Sequence, residues 1–387
     1  MFRRQFLTAL AATVITAACA LPTAVRAQAE PIRIGLILST TGPVGFIGDP
    51  QQKVLELHAK RINDAGGLLG RRIQLVIYDD QSDPNNTNTF TKRLIESDRV
   101  DLLLGGTVTP NAMAMLPQAE RAGVPYVSFG GSASIVEPVR KWVFKTPATD
   151  RLVAQRILQD MQARGIRRIG LLFETSGFGQ SGRKETVESA AKFGVTIAAE
   201  ESYGPKDNDI TPQLTKLRAA EGLQAVLVFC GAGPSPAMAV KNIAQLGIKL
   251  PVWLPHAAVN QEFIRLSGGA AEGVRMPTAA FVVLDALPDG DPSKNVARSY
   301  YADYREAYKT EPSPFGANAA DGLAIAVDAI RRAGSTDKAK VRDAIEATAR
   351  LVGLNGTFTM SAADHNGLGM DALRMIEVRD GRFQLAK

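Results

Sequence analysis

The sequence predicts an α/β protein built from two parallel-sheet units. Three observations carry this expectation. Short, continuously apolar runs rich in β-branched residues recur along the chain, as expected of strands buried on both faces. Stretches with helical apolar spacing separate them. The series restarts near Asp150 without a floppy linker, so the 387 residues read as two units tied by several short crossovers.

The first unit opens with the apolar run Ile32–Leu38. Val54, Leu55, Leu57, His58, Arg61 and Ile62 then follow helical spacing. A strand over 73–78 ends in Asp79-Asp80, and a helix over 86–95 leads to a strand over 100–104. A helix over 110–122 and a strand over 124–129 complete this unit. The second unit reads as a helix from Asp150 to about residue 164, a strand over 169–173, a helix over 179–193 and a strand over 195–199. A strand over 225–230, a helix over 237–246 and a strand over 252–254 follow. Beyond residue 293 helices dominate, over 295–308, 317–333 and 338–349. The chain closes with β-rich stretches at 356–360 and 373–384, the latter turning at Asp380-Gly381.

Residues 1–27 read as an export signal: Arg3 and Arg4, an apolar alanine-rich run from Leu7 to Leu21, then Val25-Arg26-Ala27 before a cut at Gln28. Arg3-Arg4-Gln5-Phe6-Leu7 resembles the twin-arginine consensus, with an ordinary signal carrying paired arginines as the alternative. Cys19 is a weaker candidate for lipid attachment, because Thr16 stands where a larger aliphatic residue is usual. Cleavage after Ala27 leaves Cys230 as the single thiol. It also removes three of 45 basic residues, leaving 42 against 39 acidic ones, a net +3 that offers no dense basic face to a nucleic acid. Apolar residues at 45% and charged residues at 22% exclude a disordered or collagenous chain, and two cysteines exclude a cysteine-rich framework.

Ligands of open α/β sheets bind beyond the carboxyl ends of strands, so the loops there carry the functional signal. Thr40-Thr41-Gly42-Pro43-Val44-Gly45-Phe46-Ile47-Gly48 matches neither a dinucleotide nor a P-loop pattern and reads as a cleft lip offering Phe46 or Ile47. Gly105-Gly106-Thr107-Val108-Thr109-Pro110 opens a helix, with Thr109 as N-cap and Pro110 at the first position. The same helix end, with the Thr109 hydroxyl, suits a ligand carboxylate. Ser128-Phe129-Gly130-Gly131-Ser132-Ala133-Ser134 adds close backbone approach and hydroxyl donors, although Ser134 with Glu137 also fits a capping box. In the second unit, Phe178 in Thr175-Ser176-Gly177-Phe178-Gly179 is either a helix staple or an apolar wall over a ligand. His256 sits just past a strand end.

Catalysis is not expected. His58, His256 and His365 lack metal-ligand spacing, no Gly-x-Ser-x-Gly elbow occurs, and Asp79-Asp80 reads as a solvated loop. No cofactor or metal is expected.

The chain after residue 30 resembles the leucine/isoleucine/valine-binding family, the type I periplasmic binding proteins that serve ABC importers. The resemblance rests on Ile34-Gly35-Leu36 with Thr41-Gly42-Pro43, on Ile62-Asn63-Asp64-Ala65-Gly66-Gly67-Leu68-Leu69-Gly70-Arg71-Arg72-Ile73, and on Asp79-Asp80-Gln81-Ser82-Asp83-Pro84. Ala122-Gly123-Val124-Pro125 and Ala271-Glu272-Gly273 also fit. It implies two Rossmann-like lobes joined by three hinge crossovers, here 28–146 with 280–354 and 147–279 with 355–387. It implies that Thr109, Gly130 and Ser132 hold a ligand carboxylate and that Phe178 covers the ligand. The acid that pairs with a ligand ammonium in this family aligns with His256, which supplies no fixed negative charge. A second aromatic is replaced by Ala232-Gly233. The expectation is a monomeric, non-enzymatic periplasmic receptor that hands a small carboxylate to an inner-membrane permease. The ligand is expected to be an aromatic or other organic acid without an amino group, with a branched-chain or other amino acid as the alternative. A ligand-sensing subunit for a membrane kinase is the rival class.

Overall fold

The computed structural model describes residues 30–387, so the readings of Arg3-Arg4, Cys19 and the cut at Ala27 lie outside the described residues. Five strands form the first sheet: β1 (Ile32–Leu38), β2 (Ile73–Asp79), β3 (Leu102–Gly105), β4 (Tyr126–Ser128) and β5 (Val143–Lys145). Their order is β2-β1-β3-β4-β5 and every pairing is parallel. The helices α1 (Gly45–Asp64), α2 (Pro84–Glu96) and α3 (Thr109–Ala122) cross between them. Ile34, Leu36, Leu102, Leu103 and Leu104 are fully enclosed, as a sheet covered on both faces requires.

After α4 (Asp150–Ala163) the chain builds the second sheet from β6 (Arg168–Glu174), β7 (Thr196–Tyr203), β8 (Ala225–Phe229), β9 (Val252–Trp253) and β10 (Arg275–Ala279). Helices α5 (Gly177–Ala190), α6 (Thr211–Arg218), α7 (Pro234–Gln245) and α8 (Gln261–Ser267) connect them. Next come α9 (Ser293–Tyr308), α10 (Pro314–Ala333) and α11 (Lys338–Glu346), with α10 packed along α1 on the first sheet. A small ladder pairs β11 (Leu351–Val352) with β12 (Thr357–Phe358). The hairpin β13 (Leu373–Arg379) and β14 (Arg382–Leu385) then adds an antiparallel edge, giving the order β14-β13-β10-β9-β8-β6-β7.

Of the elements that escaped the apolar pattern, β5, β10 and α6 did so for clear physical reasons. β5 contains Lys145, yet that lysine is fully buried, donating to the carbonyls of Gly131 (3.2 Å) and Pro147 (2.8 Å). β10 begins at Arg275, which is buried because Asp160 (2.9 Å) and Glu377 (2.5 Å) pair with it. α6 presents only Leu214 and Leu217 to the core. Residues 355–366, grouped from sequence with the second lobe, hydrogen-bond to the first: Asn355 to Asp321, His365 to the Val143 carbonyl and Asn366 to that of Lys145. The chain rejoins the second sheet at Leu373.

Candidate functional site

A cavity of about 440 Å³ lies between the lobes, at the carboxyl ends of strands from both sheets. Its first-lobe wall is positioned by Asp79 and Asp80, which are not a solvated loop. Asp80 is fully buried and accepts hydrogen bonds from Ser39 Oγ (2.6 Å), Thr87 Oγ1 (2.7 Å) and Asn111 Nδ2 (2.7 Å). Asp79 accepts from the backbone of Thr40, Thr41 and Gln81. The pair therefore anchors the β1–α1 loop to the first turn of α3.

Thr109 is not the N-cap of α3. Val108 holds that position in an extended conformation, and Thr109 already has helical backbone. Its hydroxyl is consequently free of capping: Thr109 is 4% exposed, lines the cavity, and its Oγ1 has no hydrogen-bond partner among the described residues. First-turn N–H groups lack intrahelical acceptors, and Pro110 contributes none, which leaves those of Thr109 and Asn111 at a helix end that favours negative charge.

The β4 loop departs from expectation by one residue. Gly130 is outside the lining, and its N–H donates to Ser128 Oγ (3.1 Å). Gly131 lines the cavity instead, with its carbonyl turned toward Lys145 Nζ and the Asp150 N–H. Ser132 is fully buried outside the lining, with its Oγ within 2.8 Å of Ser134 Oγ and donating to Ser181 Oγ of α5 (2.7 Å). It joins the lobes to each other. Phe46 also lies outside the lining: its ring packs edge-on against Phe315 at 6.1 Å, while Val44 and Ile47 face the cavity.

Phe178 and His256 both line the second-lobe wall. The Phe178 ring lies 5.3 Å from that of Phe229 and 5.8 Å from that of His256. A methyl group on Gly131 would come within 2.8 Å of Phe178, so the bare backbone of the first lobe is what the ring closes upon. His256 Nδ1 is enclosed without a partner. Burial, then the neighbouring Lys145 charge, lower its pKa to about 3, so the imidazole is neutral at ordinary pH and offers hydrogen bonds rather than charge. Phe129, Phe281 and Phe315 extend the apolar lining, and none of the described residues that line it is Lys or Arg.

Sequence reasoning missed Glu174. It ends β6, lines the cavity at 5% exposure, and has neither a hydrogen bond nor an ion pair for its carboxylate among the described residues. Its signal was present in the rule applied to the other loops, because it is the last residue of a strand. It was passed over because the expected acid aligned with His256 instead.

A model of the family described as periplasmic binding protein matches residues 31–382. The chain belongs to the periplasmic binding protein family. A leucine-, isoleucine-, valine-, threonine- and alanine-binding protein of Pseudomonas aeruginosa is 26% identical, covering 82% of this chain and 83% of its own. An extracellular ligand-binding receptor from Rhodopseudomonas palustris HaA2 superposes with a TM-score of 0.85 at 28% identity, over 92% of this chain and 99% of that one. An ABC-transporter solute-binding protein from Rhodopseudomonas palustris BisB5, solved with 3,4-dihydroxy benzoic acid, matches with a TM-score of 0.76 at 21% identity, over 92% and 95%. The chain is thus a periplasmic binding protein. The described residues contain no cluster of three or more His, Cys, Asp or Glu able to hold a metal, and no helix long and apolar enough to cross a membrane.

Proposed function

We propose that this protein captures a carboxylate solute with an apolar, ring-sized body in the interlobe cleft and presents it, as a monomer, to the permease of an ABC importer. The observation that carries this reading is the unpartnered Thr109 hydroxyl at the open end of α3, facing a cavity walled by four phenylalanines. Neutral donors and a helix end hold an anion there without a lysine or arginine in the lining. The volume falls in the range of pockets that enclose ring-bearing small molecules. Closure moves the second-lobe wall onto Gly131, and the solute stabilises the closed state by touching both walls.

An amino acid is the second reading, and Glu174 favours it. The second lobe does offer an acid, at the end of β6 rather than in the turn after β9 where His256 stands, so an α-ammonium has a partner in reach of the cavity. The name of the Pseudomonas aeruginosa relative agrees with this reading; the aromatic acid bound by the Rhodopseudomonas palustris BisB5 protein agrees with the first.

The test is calorimetry on residues 28–387 with benzoate, benzamide, leucine and phenylalanine. Thr109→Ala is expected to weaken the acids that bind by roughly tenfold or more, since a hydrogen bond to a charged group contributes about 1.5–3 kcal/mol. Thr109→Ser should retain them, and benzamide should be indifferent to both. Unchanged acid affinity in Thr109→Ala would remove the cradle.

A further inference from the structure

We infer that Glu174 sets the specificity of the cleft by accepting a hydrogen bond from a donor group on the solute, so that the solute carries a donor as well as its carboxylate. This rests on reading the cleft as a carboxylate-solute site.

The carboxylate stands at the end of β6 on the second-lobe wall, across the cleft from Thr109 on the first. Space for it is built in, since a methyl group on Gly231 would lie only 3.3 Å from Glu174 Oε1. The polar groups beside it are already engaged: Ser235 Oγ and Tyr203 Oη hydrogen-bond to each other at 2.7 Å. Among the described residues no lysine or arginine lines the cavity to neutralise Glu174. Glu174 is 95% withdrawn from solvent and lacks a protein partner, so its carboxylate opens only to the cleft, and a purely apolar solute seated there would strip it of its remaining water at a cost nothing offsets. It would also repel a simple carboxylate anion. Both difficulties vanish if the solute brings a hydroxyl or an ammonium to Glu174, because charge-assisted hydrogen bonds are the strong ones. An acceptor left empty by an analogue without the donor then rejects that analogue, which is how a polar site discriminates where apolar walls cannot.

The experiment uses two matched pairs of probes on residues 28–387: benzoate against 4-hydroxybenzoate, and 3-phenylpropanoate against phenylalanine. In the wild type, the donor-bearing member of one pair is expected to bind at least about tenfold more tightly. Preference for 4-hydroxybenzoate identifies a hydroxyl as the donor, and preference for phenylalanine an ammonium. In Glu174→Ala the preference should disappear while Thr109→Ala still weakens both members. Equal binding within both pairs, or a preference that survives in Glu174→Ala, overturns the inference. A Thr109→Ala variant that binds acids normally overturns the carboxylate reading instead. A second measurement needs no ligand: Glu174→Gln, which removes a carboxylate that has no protein partner, should melt no lower than the unliganded wild type. A lower melting temperature would mean that the carboxylate is a structural partner within its lobe, and would also overturn the proposal.

Discussion

The two walls of the cleft are built on different principles. On the first-lobe wall most polar groups are already committed: Asp80 holds Ser39, Thr87 and Asn111, Ser128 holds Gly130, and Lys145 holds Gly131. What this framework exposes is a fixed helix end and one free hydroxyl. The second-lobe wall sets the Phe178 and His256 rings among small residues such as Gly231, Ala232 and Ala257, with an unpartnered histidine nitrogen and the unpaired Glu174 carboxylate beside them. A preorganised wall suits a feature that every solute of the class shares, while a wall of rings and isolated polar groups suits the features by which solutes differ.

The largest expected effect comes from making the walls collide. In Gly131→Val, side-chain atoms occupy space that the Phe178 ring fills in this structure. Overpacking costs about 1–3 kcal/mol, so every ligand that needs the two walls in contact should bind on the order of tenfold to a hundredfold more weakly. Calorimetry with acids of several shapes decides it, and a loss confined to bulky solutes would show that Gly131 shapes the pocket rather than permitting closure.

A smaller and selective effect is expected at Phe178. Phe178→Ala should weaken ring-bearing acids about 0.5–1.5 kcal/mol more than aliphatic acids, the increment associated with aromatic pairing. Equal losses across the two classes would erase the proposed division between the walls.

The last effect, uniform rather than selective, belongs to Ser132. Its hydroxyl reaches Ser181 rather than the cavity, so Ser132→Ala should reduce affinity for all ligands uniformly, by about 0.5–1.5 kcal/mol. A loss seen with carboxylates and absent with benzamide would restore Ser132 to the cradle.

Much of this was legible in the residues. Continuous runs such as Ile32–Leu38 and Ala225–Phe229 announce strands because only a doubly covered sheet hides so many β-branched and aliphatic side chains. The strand-end rule led to Thr109, Phe178 and His256, and all three line the cavity. It slipped at Gly130, where neighbouring glycines are interchangeable in sequence and differ only in which one the Ser128 hydroxyl engages. It slipped at Ser132 and Phe46, whose partners Ser181 and Phe315 lie far away in the chain. Lys145 and Arg275 hid two strands, because a charge reads as surface until its buried partners are known.

Local sequence therefore determined the alternation of strand and helix, the family and the loops that bound the cleft, since these follow from apolar periodicity and turn residues acting over a few positions. Tertiary structure alone decided which atoms face the cavity. That choice depends on which polar groups find partners elsewhere: Ser132 and Gly130 do, whereas Thr109, His256 and Glu174 do not. A hydrogen bond between residues dozens of positions apart leaves no mark on the sequence around either one.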